Sequence, residues 1–395
     1  MRGHIKQRAK GTWSLVIDAG KDPATGKRRQ QWHTVKGTKK EAEARLRELL
    51  QSVEAGTYVK PGKMTLGQWL EEWLRNYSAI NISKRTAVSY GEQITQHIIP
   101  SLGAVYLSEL QPQHLQNYYT KALTSGRKRG KGGLSKQTVL YQHRIISQAL
   151  NEAVRHGVTA RNVAAVVQPP RPKRKAMATI PHEDVTRFLE AARETPFYEL
   201  FFTALYTGMR RGELLALRWC DVDLDLATLS VVQSLYRLTG GEFVIKEPKS
   251  PQSCRSIALP PTLALLLRKY REDRTTAGIL TGKTLADKDL VFCHYDGTPF
   301  DPSTVTHTFS KTTRKIGISG VRFHDLRHSH ATLMLKAGVH PKIVSERLGH
   351  ARVGITLDTY SHVLPGLQEA AAESFDKMLK PREGDERPVS KPLAK

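Results

Sequence analysis

Apolar side chains recur every three or four positions through residues 64–166, the spacing that lines one face of a helix. "TLGQWLEEWLRNY" carries this pattern and opens on Thr65, a capping residue. "SKRTAVSYGEQITQHIIPSLG" continues it and is expected to stop at Pro100 and Gly103. "LSKQTVLYQHRIISQALNEAVRHG" predicts a long helix that ends in Arg155, His156 and Gly157. Residues 1–60 follow a different period. "TWSLVIDAG" alternates as a strand does, "KDPATGKRR" supplies turn residues, and "QQWHTV" resumes the extended pattern. "TKKEAEARLRELLQSVEAG" then predicts a helix with Thr38 as N-cap, Glu41 three residues on, and Gly56 as the stop. Beyond residue 177, helical stretches are interrupted by "ATLSVVQSLYRL", "GEFVIKEPKS" and "CRSIALP", which alternate and are separated by turns.

These patterns divide the chain. A small module of sheet plus helix spans 1–60, and a helical domain spans 64–167. "QPPRPKRKA", 168–176, is an extended Pro-rich linker. A mixed, mostly helical domain with a small β-sheet covers 177–380. "PREGDERPVSKPLAK", 381–395, is expected to be disordered. The expected class is therefore multidomain, mainly α with α+β parts. No internal repeat is present.

Composition changes this picture in one respect. At 39% hydrophobic and 25% charged, the 395 residues are ordinary for a globular protein. The longest apolar runs, such as "LFFTALY", are too short to span a bilayer. The N-terminus "MRGHIKQRAKGTW" has no apolar segment of a secretory signal. Cys220, Cys254 and Cys293 are few and far apart, which points to a reducing cytoplasm and no disulfide framework. The net charge, however, is +24, and residues 1–60 alone carry 14 Lys+Arg against 6 Asp+Glu. Such an excess repels itself unless a polyanion relieves it, and nucleic acid is the usual partner. An anionic membrane surface is the competitor, but no lipidation motif or strongly amphipathic basic helix supports it. Candidate contacts are Trp13, Arg28, Arg29 and Trp32, expected exposed on the small sheet. Others are Arg127, Lys128, Arg129 and Lys131 in the loop "TSGRKRGKGG", and Arg171, Lys173 and Arg174 in the linker. The loop reads equally as a solvated connection or a phosphate-contacting finger.

Four stretches of the last domain combine chemically. "TGMRRGEL" places Arg210 at a helix start, with Glu213 one turn along to hold its guanidinium. "FHDLRHSHATLML" sets His324 and Arg327 three apart, and "EPKSPQSCRSIAL" carries Lys249 in a turn between strands. "LGHARVGITLDTYSHV" adds His350 and Tyr360. Two arginines suit a phosphodiester, because each fork donates two hydrogen bonds to nonbridging oxygens. Both also neutralise charge that grows on a pentacoordinate phosphorane. A tyrosine can attack phosphorus, but a pKa near 10 leaves only about 0.1% phenolate at pH 7. His324 is the expected base, Lys249 the acid for the leaving oxygen, and His350 a further donor to the phosphate. Each fragment alone is weak; their joint order carries the reading.

The order Arg210, Lys249, His324, Arg327, His350, Tyr360, together with these blocks, resembles the tyrosine recombinases, or phage integrases. The resemblance covers nearly the whole chain, and its three-part layout is similar to integrases of temperate phages and integrative conjugative elements. It implies an arm-type DNA-binding domain with a three-stranded sheet and a helix, a core-binding domain, and a catalytic domain. It further implies attack by Tyr360 to form a 3′-phosphotyrosine, a free 5′-hydroxyl, and two strand exchanges by a homotetramer through a Holliday junction. Neither metal, ATP nor cofactor enters that scheme. The implied partners are double-stranded attachment sites of core and arm type, with an excisionase or host DNA-bending protein besides. The implied location is the bacterial cytoplasm, at the nucleoid when DNA is bound. Lys246 lies close enough to compete with Lys249.

Rival readings are weaker. "DVDLDL", 221–226, is the best candidate for metal-binding carboxylates, but apolar residues alternate with them as in a turn entering a strand. His324, His328 and His330 lack a cysteine or fourth ligand for zinc, and His328, His330 and His362 are expected to make structural hydrogen bonds. A purely DNA-binding regulator would not need this series of phosphate-directed residues. A type IB topoisomerase shares the chemistry but not the arm module. "LPGLQEAAAESFDKML" predicts an amphipathic helix that docks on a neighbouring protomer.

Overall fold

Strand alternation at the N-terminus resolves into three antiparallel strands, β1 (Gly3–Ala9), β2 (Thr12–Lys21) and β3 (Arg28–Lys36), in the order β1-β2-β3. The structure is a computed structural model that describes residues 3–21, 28–54, 62–128, 130–173, 177–238, 240–247, 253–280, 282, 284–360, 372–373, 375–376 and 378–379. Gly56, Arg129, Arg174 to Ala176, Lys249, His362 and residues 381–395 lie outside them, as do the side chains of Arg28 and Arg29. The chain divides into two compact units, residues 1–174 and 175–395.

In the first unit, one face of the sheet buries Leu15 and Ile17 against Ala42 and Leu49 of α1 (Lys39–Glu54). Thr38 and Glu41 cap that helix reciprocally: Glu41 N–H donates to Thr38 Oγ1 at 3.3 Å and Thr38 N–H to Glu41 Oε2 at 2.7 Å. Trp13 is not exposed as expected. It shares the inward face with Leu15, packs on the same core, and donates from Nε1 to the Gly37 carbonyl at 3.1 Å. The β2–β3 register pairs Trp32 with Val16, so Trp32 lies on the opposite, open face and is 59% exposed. Arg28 and Arg29 belong to strand β3 rather than to the turn.

A second core follows. Helices α2 (Leu66–Asn81), α3 (Lys84–Gln93), α4 (Ile99–Leu102), α5 (Pro112–Ser125) and α6 (Lys136–Arg155) enclose Leu66, Trp69, Trp73, Ile94, Tyr119 and Ile146. Thr65 and Ser135 cap α2 and α6. Trp69 Nε1 donates to Ala149 O at 2.9 Å and ties α2 to α6. Pro100 does not end its helix. A π-helical turn at Ile94–Ile98 intervenes, and Pro100 then falls in the first turn of α4, where its missing N–H is harmless. Residues 168–173 form no regular element.

The second unit is built around α8 (Tyr198–Thr207), buried on nearly all sides, as its dense apolar sequence requires. It packs with α7 (Val185–Arg193), α9 (Arg211–Leu215) and the later helices. Strands β4 (Val222–Asp223) and β5 (Thr228–Val231) pair antiparallel. The hairpin β6 (Ser234–Arg237) and β7 (Phe243–Lys246) then leaves that sheet, and β8 (Arg255–Ala258) returns to pair with β5. Helices α10 (Pro261–Leu280), α11 (Pro302–Lys315), α12 (Asp325–Lys336), α13 (Pro341–Leu348) and α14 (Val353–Tyr360) complete the unit. Phe188, Phe201, Phe309 and Phe323 form its aromatic centre. In the tail, the described residues of 372–379 are helical and exposed, among them Phe375, Met378 and Leu379. Among the described residues, no helix is long and apolar enough to cross a membrane.

Candidate active site

The site begins where α8 ends. Gly208 terminates the helix in the left-handed conformation, at φ +65°, a region open to glycine and strained for other residues. The turn puts Arg210 at the N-cap of α9. Its Nη1 donates to Glu213 Oε1 at 2.7 Å and its backbone N–H to Glu213 Oε2 at 2.9 Å. A second arginine reaches the same carboxylate: Arg255 on β8 donates from Nη2 to Glu213 Oε2 at 2.8 Å. Burial alone would raise the Glu213 pKa, but the bonds and charges of Arg255 and Arg210 outweigh it, and the carboxyl titrates below its usual range. Arg255 also donates from Nε to Arg347 O at 2.7 Å, so the strand is tied to the end of α13.

Arg327, in the first turn of α12, is 3% exposed. Its Nη1 donates to Gly208 O at 2.9 Å and its Nη2 to Leu348 O at 2.6 Å. Those bonds span the end of α8 and the end of α13 and leave other donors of the fork for a ligand. Burial first, then the neighbouring Arg210, push the guanidinium down to about 9, which still leaves it charged at neutral pH. Arg210, Arg255 and Arg327 therefore surround a single buried carboxylate, an excess of positive charge suited to an anion.

Histidines line this cluster. His350 follows Gly349, the left-handed cap of α13, and its Nδ1 lies 2.8 Å from Thr356 Oγ1. Burial, then Arg327 and Arg210, push it down to about 4. His324 precedes α12. Although the residue as a whole is exposed, its ring loses hydration among its neighbours and is pushed down to about 4, with His328 and Arg327 adding to the effect. Tyr360 ends α14, 2% exposed, among Ala331, Leu335, Val344 and Leu348. Burial pushes its phenol up to about 12, against the opposing pull of Arg327.

The partner of the Tyr360 hydroxyl is not His324, the expected base. His328 Nδ1 lies 2.7 Å from Tyr360 Oη, and the His324 ring meets His328 edge to face at 5.3 Å. The sequence alone places His328 among histidines that make structural hydrogen bonds. The signal that would have found it is its i, i+4 spacing from His324, which puts both on one helix face. Arg255 was also missed, because an arginine opening a short strand looks solvent-facing until its carboxylate partner is placed. His330 does make structural bonds, through Nδ1 with Leu205 O at 2.9 Å and through Nε2, accepting from Arg347 Nε, at 3.2 Å. With both nitrogens engaged, His330 is not directed toward a site shared with His324 and His328. Among the described residues, no group of three or more His, Cys, Asp and Glu side chains is arranged to hold a metal ion. Lys249 lies outside the described residues, while Lys246 is exposed at the end of β7, opposite Ser234.

In the first unit, Trp32, Arg127, Lys128, Lys131, Arg171 and Lys173 are all exposed. His4 and Lys6 of β1 share the open sheet face with Trp32 by register.

The chain is similar to known proteins over most of its length. Residues 178–366 match the phage integrase family, and residues 65–123 match the phage integrase N-terminal SAM-like domain. A tyrosine recombinase XerC-like protein of Caldanaerobacter subterraneus subsp. tengcongensis is 29% identical over 364 residues, 87% of this chain and 90% of that one. The ICEBs1 integrase of Bacillus subtilis is 27% identical over 384 residues, 95% of this chain and 100% of its own. Among solved structures, the Tn1549 transposon integrase in complex with a circular intermediate DNA superposes with a TM-score of 0.66 at 20% identity, covering 79% of this chain and 99% of that one. A lambda integrase tetramer bound to a Holliday junction gives a TM-score of 0.55 at 20% identity, over 88% of this chain and 95% of that one. The chain belongs to the phage integrase family, the tyrosine-type site-specific recombinases.

Proposed function

We propose that this chain cuts and rejoins DNA at attachment sites through Tyr360, as the integrase of a temperate phage or integrative conjugative element. The observation that carries the reading is the juxtaposition of a buried tyrosine with a guanidinium cluster. Tyr360 feels the charge of Arg327, and Arg327 that of Arg210, around one carboxylate. In the proposed reaction Arg210 and Arg327 hold the nonbridging oxygens of the scissile phosphate, with His324 and His350 as further donors. Glu213 positions Arg210. Tyr360 Oη gives its proton to a histidine base and bonds to phosphorus, the bond to the 5′-oxygen breaks, and Lys249 gives that oxygen its proton. The bond energy stays in the phosphotyrosine, so ATP is not needed, and the arginines supply the positive charge that a metal ion would otherwise bring.

The domain roles follow the same proposal. Residues 1–60 hold arm-type DNA, 64–167 hold the core site, the linker 168–176 runs along the backbone, and 177–380 cut. Four protomers act together, with the tail helix of one docked on its neighbour, and an excisionase or DNA-bending protein sets direction. The bacterial cytoplasm is the proposed location. Cleavage of a nicked attachment-site duplex in excess EDTA tests the scheme. Undiminished cleavage is expected, and activity restored only by Mg²⁺ or Zn²⁺ would replace it with a metal-assisted reaction.

A further inference from the structure

We propose that His328 is the general base for Tyr360: its Nδ1 takes the phenolic proton as Oη attacks phosphorus and returns it when the strand is resealed. This rests on Tyr360 being the nucleophile. Two placements support it. His328 stands one helical turn beyond His324 and beside Arg327, so it is carried by the same rigid element as the phosphate-binding arginine. Its Nδ1 lies 2.7 Å from Oη, within the range for direct proton transfer. In the tautomer that carries its proton on Nε2, the Nδ1 lone pair faces the hydroxyl and accepts the phenolic hydrogen bond.

The surroundings favour a neutral ring that becomes charged only during reaction. Asp325 and Arg327 on α12, Arg322 and His324 before it, Tyr360 on α14 and His350 between α13 and α14 are the titratable and charged groups that face it. Burial, Arg327 and Arg322 lower its pKa, Asp325 opposes them, and the net direction is down. A neutral imidazole can accept a proton at pH 7; the imidazolium that results stands beside a phosphorane gaining negative charge. The proton balance is complete without another reactant. Oη–P forms, P–O5′ breaks, His328 gains the proton of Oη, and Lys249 loses one to O5′. In resealing, every transfer reverses. His324, whose ring lies against His328, is left free to serve the phosphate.

The test is single-turnover formation of the covalent adduct on a nicked suicide duplex, with the attached residue mapped by mass spectrometry. H328N is the informative variant, because an amide oxygen can keep the hydrogen bond to Oη but cannot take its proton. H328N and H328A are expected to bind DNA as the parent does and to lose about 10²-fold or more in rate at pH 7. Their rates should climb about tenfold per pH unit between pH 7 and 9, because the unassisted reaction follows the phenolate fraction, whereas the parent rate stays nearly flat. Imidazole added to H328A should restore part of the rate. Parent-like rates, or a parent-like pH profile in H328N, would overturn the assignment while leaving Tyr360 as nucleophile. An adduct of the parent protein that maps away from Tyr360 would overturn both. A thermal melt of each variant identifies a fold defect, and H328N carries the decision if H328A melts early.

Discussion

Arg327 donates to the carbonyl of Gly208 at 2.9 Å, so an arginine of α12 is oriented by the glycine that ends α8. That glycine is held at φ +65°, and a Cβ there would come within 2.7 Å of both His330 Cδ2 and Leu348 Cδ2. Leu348 is the other residue whose carbonyl anchors Arg327. G208A should therefore strike stability and chemistry together. Backbone strain alone is worth about 1–3 kcal/mol. Chemical denaturation should show a loss of at least that size, and cleavage should fall more than tenfold through displacement of Arg327. A variant with parental stability and rate would separate the turn from the site.

Glu213 and its two arginines give a second contrast. Arg210 is 39% exposed at its side chain, whereas Arg255 is 6% exposed. R210A removes a partly solvated partner and should change stability by no more than about 1 kcal/mol, yet slow cleavage by about 10²-fold or more. E213A leaves the Arg255 charge buried without its carboxylate and should destabilise the protein by about 3–5 kcal/mol. Denaturant midpoints and single-turnover rates measured on both variants check the ordering. Equal stability losses would mean that Arg255 finds another partner.

Much of this arrangement was legible in the sequence, because its determinants are local. Thr38 and Thr65 each mark a helix start, and the caps form as their spacing implies. What was not legible depended on partners remote in sequence or on sub-turn geometry. Trp13 and Trp32 look alike in the string, and only the strand register puts one inward and the other outward. Pro100 reads as a stop until a π-turn re-phases the helix. Arg255 and His328 gain meaning only from Glu213 and Tyr360, 42 and 32 residues away.

The pH dependence of folding should reflect buried neutral histidines. Burial, then Arg347, push His330 down to about 3. Its folded pKa lies below its unfolded value of about 6.5, so the unfolded chain binds the extra proton in between. The resulting stability is present above about pH 6.5 and is lost progressively as pH falls toward about 3. His324 and His350, both near 4, act in the same direction. Denaturation midpoints of the free protein should fall steadily from pH 7 to pH 4. H330Q should be less stable at pH 7 by about 1–3 kcal/mol but should show a shallower decline. A slope unchanged in H330Q would mean that the histidine is protonated in the folded state.

On the small sheet, the open face that carries Lys6 and Trp32 is the proposed DNA surface. K6A/W32A should weaken binding to arm-type DNA and leave suicide-substrate cleavage at the core site nearly unchanged. If Lys6 touches a phosphate, the slope of log affinity against log salt becomes shallower by about 0.9. A parental slope and affinity would move the DNA to another face.

The most direct measurement is the identity of the residue that becomes joined to DNA. The protein is incubated with a nicked attachment-site duplex in excess EDTA, digested, and the nucleotide-bearing peptide sequenced by mass spectrometry. The account predicts a 3′-phosphate ester on Tyr360, and no adduct from Y360F, which still binds the duplex. No adduct with the parent protein, an adduct on another residue, or an undiminished adduct from Y360F would contradict it.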